Sequence, residues 1–298
     1  MDVLVTGSHG LIGSALIRRL RAEGHQIRRL VRAAPEGSDD VGWDPIAGTI
    51  DAARLEGLDA VVHLAGAGIG DRRWTAARKA LILDSRVKGT QLLAQTIASL
   101  ARKPAVLVSA SAVGYYGNRG DEIVTEESGP GDDFTARVCQ AWERATAPAA
   151  DAGIRVVNIR TGIVLDAHGG ALARMVLPFK LGLGGRIASG RQYMSWIALA
   201  DEVGAIRHAL TRDDLRGAVN ATAPNPVTNA EFTKALGRAL HRPTVLPTPL
   251  APLKAVYGAE LVQHLLVEGQ RVQPSRLLES GYEFATPTLD AALASILG

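Results

Sequence analysis

The chain has 298 residues, of which 47% are hydrophobic and 21% are charged, and its formal net charge is only +3. This balance is ordinary for a soluble globular protein. The 33 basic residues form no run, so nucleic acid is not a predicted partner. One cysteine, Cys139, excludes an intrachain disulfide and favours a reducing compartment. No apolar run reaches bilayer length, and Met1 leads straight into a strand pattern. We therefore predict no membrane partner, no signal peptide and a cytoplasmic location.

The first half of the chain alternates strand and helix patterns. Strands are predicted at 3–5, 27–31, 41–43, 59–64, 105–109 and 155–159, and helices at 11–23, 74–100 and 134–150. After residue 160 the pattern loosens. Helices are predicted at 201–211, at 229–240 with Thr228 and Glu231 as a capping box, and over most of 257–297 with a break at 281–287. Prolines between 243 and 252 predict an extended crossing.

The first strand runs into three glycines, each three residues from the next, and a helical pattern follows at once. Such a turn places the free N–H groups of a helix N-terminus where the pyrophosphate of a dinucleotide binds. The first glycine permits the tight turn, the second lets the backbone approach phosphate, and the third lets the helix pack close to the strand. The alternative is an ordinary glycine-rich turn. The predicted cofactor contacts here are Gly7, His9, Gly10, Leu11, Ile12 and Gly13.

Alternating strands and helices behind this turn predict an α/β fold, a Rossmann-type doubly wound parallel sheet with a smaller C-terminal α/β lobe. The cofactor-binding domain is predicted over residues 1–162, with a return of the chain at about 196–212. The smaller lobe, on the substrate side, is predicted over residues 163–298.

Arg32 stands at the end of the second strand, where the ribose of the adenine half meets such a domain. An acidic residue there bonds the 2′-hydroxyl of NAD, whereas an arginine accommodates the 2′-phosphate of NADP. Arg28 and Arg29 lie on the same strand, and no acidic residue follows before Glu36. NADP(H) is therefore the predicted cofactor. The alternative is that Arg32 is a solvated strand-end residue.

The spacing G-x-x-G-x-x-G, the turn H-L-A-G-A at 63–67 and the run S-A-S-A-V-G-Y-Y-G at 109–117 resemble the extended, epimerase-like branch of the short-chain dehydrogenase/reductase superfamily. Within that branch, nearly the whole chain is similar to the uncharacterised epimerase family. Shared segments are F-x-x-x-[VL]-C-x-x-W-E at 134–143, S-G-R-Q-x-x-S-W-I at 189–197, N-x-T-A-P-N-P-V-T-N-A-E-F at 220–232 and L-L-x-E-G-Q-R-V-x-P at 265–274. This resemblance implies NADP(H) binding and names no substrate.

The resemblance also implies further cofactor contacts. The segment 64–66 would pass under the pyrophosphate and ribose, because small residues allow a close approach. Arg86 stands where relatives carry the asparagine of N-V-x-G-T, and it either reaches the cofactor from below or is a surface arginine. His63 is interpreted as a strand residue. The predicted contacts of this part are Leu64, Ala65, Gly66, Arg86, Ser109 and Ile163, with a cleft-lining role open for Ser109.

By the same resemblance, Ser111 takes the position of the serine that bonds the reacting oxygen. The tyrosine and lysine of the usual Y-x-x-x-K helix, which transfer the proton, would stand at Phe134 and Val138, which have neither hydroxyl nor charge. Tyr115 and Tyr116 are the remaining catalytic candidates, with a packing role open for at least one of them.

One departure from the family pattern concerns the substrate. Sugar-nucleotide epimerases and dehydratases hold the nucleotide diphosphate with an arginine whose position here is Met194. Arg191 either replaces it in part or is a loop contact. In the tail, Gln270, Arg271 and Pro274 either line a substrate site or pin the lobe to the sheet.

Three functions remain open at this point. The chain is an NADP(H)-dependent oxidoreductase or epimerase with a rebuilt acid–base group, an NADP(H)-binding redox sensor without turnover, or an interaction protein on this fold. A small-molecule substrate of unknown identity is the predicted partner, and a homodimer is left open. No metal is predicted, because the histidines show no ligand spacing. Cys139 is interpreted as a small buried hydrophobe.

Overall fold

The computed structural model describes every residue from Met1 to Gly298. The strands, numbered along the chain, are β1 (Asp2–Thr6), β2 (Gln26–Val31), β3 (Asp40–Asp44), β4 (Thr49–Ile50), β5 (Ala60–His63), β6 (Val106–Ala112), β7 (Ile123–Val124), β8 (Arg155–Thr161), β9 (Ile163–Leu165), β10 (Tyr193–Met194), β11 (Trp196–Ala198), β12 (Gly217–Ala221), β13 (Val227–Thr228) and β14 (Arg271–Val272).

The helices are α1 (Leu11–Ala22), α2 (Ala76–Ser99), α3 (Phe134–Arg144), α4 (Ala147–Asp151), α5 (Gly170–Lys180), α6 (Leu199–Thr211), α7 (Asn229–Ala239), α8 (Leu250–Tyr257), α9 (Ala259–Val262), α10 (Ser275–Glu279) and α11 (Leu289–Leu297). Short 3₁₀ turns span Ala52–Leu55 and Val113–Tyr116, and a π-helical turn spans Gln263–Val267. No helix is both long and apolar enough to span a bilayer.

Eight strands form one sheet in the order β12-β8-β6-β5-β1-β2-β3-β4. All neighbouring pairs are parallel except β3 with β4. From β1 the chain moves to β2 on one side and later to β5 on the other. The strand order therefore reverses at β1, and ligands of such sheets bind in the crevice at the carboxyl ends of the strands there. The predicted doubly wound α/β fold is confirmed.

Helices cover both faces of this sheet, which is why β1 is a continuous apolar run. Val3 and Val5 pack into one core with residues of α1, α6 and α10, while Leu4 between them packs into the opposite core with residues of α2 and α4. Successive side chains of a strand point to opposite faces, so a strand between two helical layers needs apolar residues on both.

The smaller lobe has its own core. Trp196 and Phe232 are fully buried there among residues of α5, α7 and α11. The start of α7 is fixed by the predicted capping box. The Thr228 hydroxyl accepts the N–H of Glu231, and the Glu231 carboxylate accepts the N–H of Thr228. Such reciprocal bonds satisfy two N–H groups that a helix start leaves without partners.

Two local predictions were wrong, and one strand was not predicted. The helix predicted over 134–150 is divided into α3 and α4, because Pro148 has no N–H and its ring opposes the carbonyl four residues earlier. The strand β12 lies in a segment without a strand pattern, and its pairing with β8 defines it. The proline-rich stretch contains α8, in which Pro252 stands in the first turn, where a helix tolerates proline.

Candidate functional site

The turn after β1 has a geometry that only glycine permits at two positions. Gly7 has a φ of +66°, and a Cβ there would lie 2.8 Å from the carbonyl carbon of Leu64. A Cβ at Gly13 would lie 2.3 Å from the carbonyl oxygen of Gly7. The roles predicted for these two glycines, a tight turn and close packing of helix on strand, both describe this geometry.

The N-terminus of α1 offers free backbone donors. The N–H of Gly10 donates to the carbonyl of Gly7, but no acceptor in the protein takes the N–H groups of Leu11, Ile12 or Gly13. The first turn carries no acidic side chain and no side-chain cap. His9, beside it, is exposed. Because the positive end of a helix and its free N–H groups favour an anion, this end suits a phosphate group.

Three buried polar side chains, Thr6, His63 and Thr90, are hydrogen-bonded in series and hold segment 64–66, which lies opposite this turn. The Thr6 hydroxyl accepts the N–H groups of Leu64 and Ala65, each at 3.0 Å, and lies 2.8 Å from Nδ1 of His63. Its own hydrogen therefore goes to Nδ1, and Nε2–H donates to Thr90 Oγ1 at 2.9 Å. Burial lowers the pKa of His63 to about 4. The neutral histidine is a structural residue that positions segment 64–66.

Arg86 supports the same segment from below. Its Nη1 donates to the carbonyls of Ala67 and Ile82, and its guanidinium lies 4.8 Å from the ring centroid of Trp142. A Cβ at Gly66 would lie 3.3 Å from the guanidinium carbon. Arg86 is therefore not a surface arginine, and its contacts within the protein are with the carbonyls of Ala67 and Ile82 and with the indole of Trp142.

Arg32, the residue after β2, differs from the two arginines of that strand. Arg28 is paired with Asp2 and Arg29 with Asp40, and both arginine side chains are half-buried. Arg32 is exposed just beyond the end of β2 and has no hydrogen bond or ion pair. Only Arg32 therefore remains available to an external phosphate, so Arg28 and Arg29 no longer support that role.

Ser111 belongs to a buried network that the sequence did not indicate. Its hydroxyl donates to Oε1 of Glu143 at 2.6 Å. Arg160 donates to both oxygens of the same carboxylate, at 2.8 and 2.9 Å, and to the hydroxyl of Tyr116 at 3.0 Å. Tyr116 in turn donates to Oδ1 of Asn220 at 2.7 Å. Burial would lower the pKa of Arg160, but the ion pair outweighs burial and raises it.

The two tyrosines have different environments. Tyr116 is fully buried, both roles of its hydroxyl are filled, and burial raises its pKa to about 12. Tyr116 therefore has a packing role, and the prediction that it is a catalytic residue was wrong. Tyr115 is half-buried with Arg160 stacked on its ring at 3.4 Å, and its hydroxyl has no partner in the protein.

Three further predicted residues can be placed. Ser109 is fully buried in β6, so neither a cofactor contact nor a cleft-lining role fits it. Ile163 is half-buried at the start of β9, beside the end of β8. Cys139 is buried, and burial raises the pKa of its thiol to about 12, which agrees with its interpretation as a small hydrophobe.

The position of the expected tyrosine is apolar. The ring of Phe134 meets the ring of Trp74 edge-on at 5.0 Å, and Lys79 Nζ lies 5.4 Å from the Phe134 centroid. Val138 is buried one turn further along α3. The other side of this apolar cluster carries His264, whose ring stacks on Trp74 at 6.1 Å.

Beside Phe134 the fold gathers three ionisable side chains, which we call the His264 cluster: Asp133, His264 and Glu268. Their ligand atoms all lie within 4.8 Å of one another. The His264 Nδ1 is 2.7 Å from Glu268 Oε2. One histidine and two carboxylates suit proton exchange as well as a metal ion, and the sequence predicted neither, because Asp133 is distant from the other two along the chain. The only sequence signal is that Glu268 lies in the family segment 265–274.

The tail residues pin the lobe to the body of the protein. β14 pairs with β7, and the carbonyl of Gln270 accepts the hydroxyl of Ser195 at 2.7 Å. Met194 is buried, and Arg191 is exposed without a side-chain partner. The position where the resemblance to sugar-nucleotide enzymes predicts an arginine is therefore occupied by a buried methionine.

Comparison with known proteins decides the family. The model of the NAD dependent epimerase/dehydratase family matches residues 3–221. The chain belongs to this family. Residues 248–296, which span α8 to α11, match a domain of unknown function, DUF1731. The resemblance drawn from the sequence motifs is confirmed.

Relatives named epimerase family proteins are similar to this chain over nearly its whole length. The one from Mycobacterium bovis is 48% identical over 291 residues, covering 98% of this chain and 96% of its own. A human relative, SDR39U1, is 40% identical over 300 residues, covering all of both chains. The crystal structure of human SDR39U1 with NADPH superposes with a TM-score of 0.91 at 39% identity, covering 100% of this chain and 99% of that one.

A nucleoside-diphosphate sugar epimerase from Corynebacterium glutamicum is also 39% identical, with a TM-score of 0.83. This chain covers 58% of that protein. The two structural relatives share the fold of this chain. One is described as a complex with NADPH, and the other is named as an epimerase of nucleoside-diphosphate sugars.

Proposed function

We propose that the protein binds NADP(H) and is an oxidoreductase of the epimerase family that acts on a small molecule. Two features together carry this proposal: the start of α1 has free N–H groups, and Arg32 has no partner within the protein. The crystal structure of the human relative with NADPH supports it.

The residues present fit the cofactor. The N–H groups of Leu11, Ile12 and Gly13 would hold its pyrophosphate, since nothing in the protein occupies them. Arg32 would hold the 2′-phosphate, because a guanidinium matches phosphate geometry and charge. When bound, NADP(H) supplies hydride transfer. The protein supplies the orientation of the two reactants and a proton.

The usual tyrosine–lysine pair does not provide that proton under this proposal. Phe134 has no hydroxyl and packs against Trp74, and Val138 is buried and uncharged. Proton transfer by a positioned group contributes roughly a hundred- to ten-thousand-fold to rate, so another group must supply it for appreciable turnover. Tyr115, whose hydroxyl is free, is one candidate that the sequence already indicated.

Ordinary sugar nucleotides do not fit the substrate side well. Met194 replaces the arginine that holds their diphosphate in related enzymes, and it is buried. We therefore propose a small carbonyl compound, or the corresponding alcohol, as substrate. Since the only cysteine is a buried thiol, we also propose the cytoplasm as the compartment.

Two measurements test the proposal. Calorimetric titration of the purified chain with NADPH and NADH should show binding, with clear preference for NADPH. NADPH oxidation should then be followed against small aldehydes, ketones and a set of nucleotide sugars. Absence of NADPH binding would overturn the proposal, and robust turnover of a nucleotide sugar would overturn its substrate class. Binding without any turnover would favour a redox sensor.

A further inference from the structure

The His264 cluster lies at the end of the sheet where substrate is expected. Asp133 precedes Phe134, and its Oδ1 accepts the hydroxyl of Thr135 at 2.7 Å. Thr135 packs on Gly114 in the turn that directly follows β6. The cluster therefore adjoins the carboxyl end of β6, the strand that carries Ser111, and open α/β sheets bind their ligands at that end.

The histidine of this cluster is held in one orientation. Its Nδ1 is bonded to Glu268 Oε2 at 2.7 Å, and its ring stacks on Trp74 with an interplanar angle of 17°. The indole is itself fixed, because Trp74 Nε1 donates to the carbonyl of Ile69 at 2.9 Å. The π-helical turn that carries His264 is an arrangement found frequently at functional sites.

Glu268 is oriented by a further side chain. Its Oε1 accepts Gln263 Nε2 at 3.0 Å, while its Oε2 faces the histidine. A carboxylate is an acceptor only, so the proton on Nδ1 stays with the imidazole. The other ring nitrogen, Nε2, has no partner in the protein, and the side chain of His264 keeps 21% of its exposure. Nε2 is therefore the ring nitrogen that is free to exchange a proton with a bound substrate.

Phe134 and His264 contact the same indole, at 5.0 and 6.1 Å between ring centroids. The fold thus brings a proton-exchanging group from the C-terminal tail next to the position where the resemblance expects a tyrosine. The surrounding charged groups are Asp133 at the N-cap of α3, Glu268 on the tail, and the pair of Lys79 with Glu260 beside Phe134.

Resting on the function proposed above, we propose that His264 is the catalytic proton donor and acceptor of this protein, with Glu268 as its positioning residue. In carbonyl reduction the carbonyl carbon takes a hydride from NADPH and the carbonyl π bond breaks. The oxygen then takes the Nε2 proton of the doubly protonated His264 ring, and the electrons of that N–H bond stay on Nε2. The products are an alcohol, NADP⁺ and a neutral histidine that keeps its proton on Nδ1, and a hydronium ion of the solvent returns a proton to Nε2. In alcohol oxidation Nε2 takes the hydroxyl proton. A histidine held by a carboxylate is suited to both directions.

The first test needs no substrate. The whole chain is labelled with heavy nitrogen in its histidines, and its spectra are recorded free, with NADP⁺ and with NADPH. Variant His264→Gln assigns the signals. We expect the wild-type ring to carry its proton on Nδ1. Its signals should differ between the NADP⁺ and NADPH complexes, because the nicotinamide changes charge beside it. His25, just before β2 at the amino end of the sheet, serves as the control and should not respond.

Each result of this test decides something. Unchanged His264 signals in the presence of both bound nucleotides would overturn the assignment of His264 while leaving cofactor binding intact. Failure of calorimetry to detect either nucleotide would overturn the proposed function, and this inference with it. Loss of the His264 signals on adding equimolar Mn²⁺ would overturn proton transfer in favour of a metal centre made by the His264 cluster.

The second test uses any carbonyl compound that wild type reduces. His264→Gln should lower kcat roughly a hundredfold or more, the range for a lost proton-transfer group, with little change in NADPH affinity. Glu268→Gln should lower kcat less, leave KM nearly unchanged and move the proton between the ring nitrogens in the same spectra. His25→Gln is the matched control. An active His264→Gln variant would contradict the inference.

Discussion

The hydroxyl of Ser111 donates to the carboxylate of Glu143 at 2.6 Å, and that carboxylate is in turn held by both arms of Arg160. A hydroxyl has one hydrogen, so Ser111 cannot at the same time donate to a substrate oxygen. Ser111 is 3% exposed, and Arg160 is equally buried. Ser111, which the resemblance predicts to bond the reacting oxygen, is thus part of an internal ion-pair network that joins β6, α3 and β8.

Breaking this network should destabilise the protein. Glu143→Ala removes one partner of an ion pair whose side chains are 14% and 4% exposed, and it leaves the Arg160 charge buried. We expect a loss of about 3–5 kcal/mol in the free energy of unfolding. Ser111→Ala leaves the ion pair intact and should cost about 1 kcal/mol. Urea unfolding measures both, and equal effects of the two substitutions would show that the ion pair is not the stabilising element.

Cofactor preference should depend on Arg32. Arg32→Ala removes a charge-assisted contact with the 2′-phosphate and should weaken NADPH binding by about 1.5–3 kcal/mol, or roughly 10- to 150-fold. NADH affinity should stay unchanged, because NADH lacks that phosphate. Calorimetric titration of both nucleotides measures this. Arg18→Ala, an exposed arginine of α1 without an ion pair, is the control. Equal affinities of wild type for the two nucleotides would contradict the assignment.

Two glycines of the first turn should respond differently to the same substitution. A Cβ at Gly10 would meet only the Gly7 carbonyl oxygen at 3.2 Å, and Gly10 has an ordinary φ of −75°. Gly10→Val should therefore fold and lose NADPH binding, because its side chain points where phosphate is expected. Gly13→Val should fail to fold stably, since its Cβ would lie 2.3 Å from the same oxygen. Melting curves separate the two outcomes. A folded Gly10→Val variant that still binds NADPH would show that the phosphate site does not lie at this turn.

Stability should fall with rising pH because of Glu202. This carboxyl is fully buried, and burial raises its pKa from 4.5 to about 8. The folded state holds the proton more tightly than the unfolded chain, so its stabilising effect is complete below pH 4.5 and is lost as pH rises towards 8. The total change is about 3–5 kcal/mol.

Glu202→Gln tests this contribution, because the amide oxygen can still accept the Thr161 hydroxyl that now donates to Glu202. The free energy of unfolding of the variant, relative to wild type, should increase steadily between pH 5 and pH 8. Glu279→Gln, at an exposed carboxyl, should follow wild type at every pH. A parallel course for Glu202→Gln would mean that the buried carboxyl is already ionised in the folded protein.

Local sequence patterns were sufficient to predict the strand–turn–helix unit at the N-terminus and the start of α7. The apolar run of β1, the glycines at 7, 10 and 13 and the helix behind them specify a strand–turn–helix unit within a few residues, because turn geometry and periodicity are local properties. The arginine at position 32 and the family segments then indicated the cofactor. The capping box at Thr228 was readable for the same reason, since its two partners are three residues apart.

Tertiary structure alone decided which polar side chains meet. Arg28, Arg29 and Arg32 look alike in sequence, but the neighbouring strands place carboxylates against the first two only. Ser111 donates to Glu143 on α3, and Tyr116 donates to Asn220 on β12. Asp133 lies beside His264 and Glu268, which are distant from it along the chain. Such contacts depend on how the sheet, helices and tail pack, and no periodicity within a single segment encodes them.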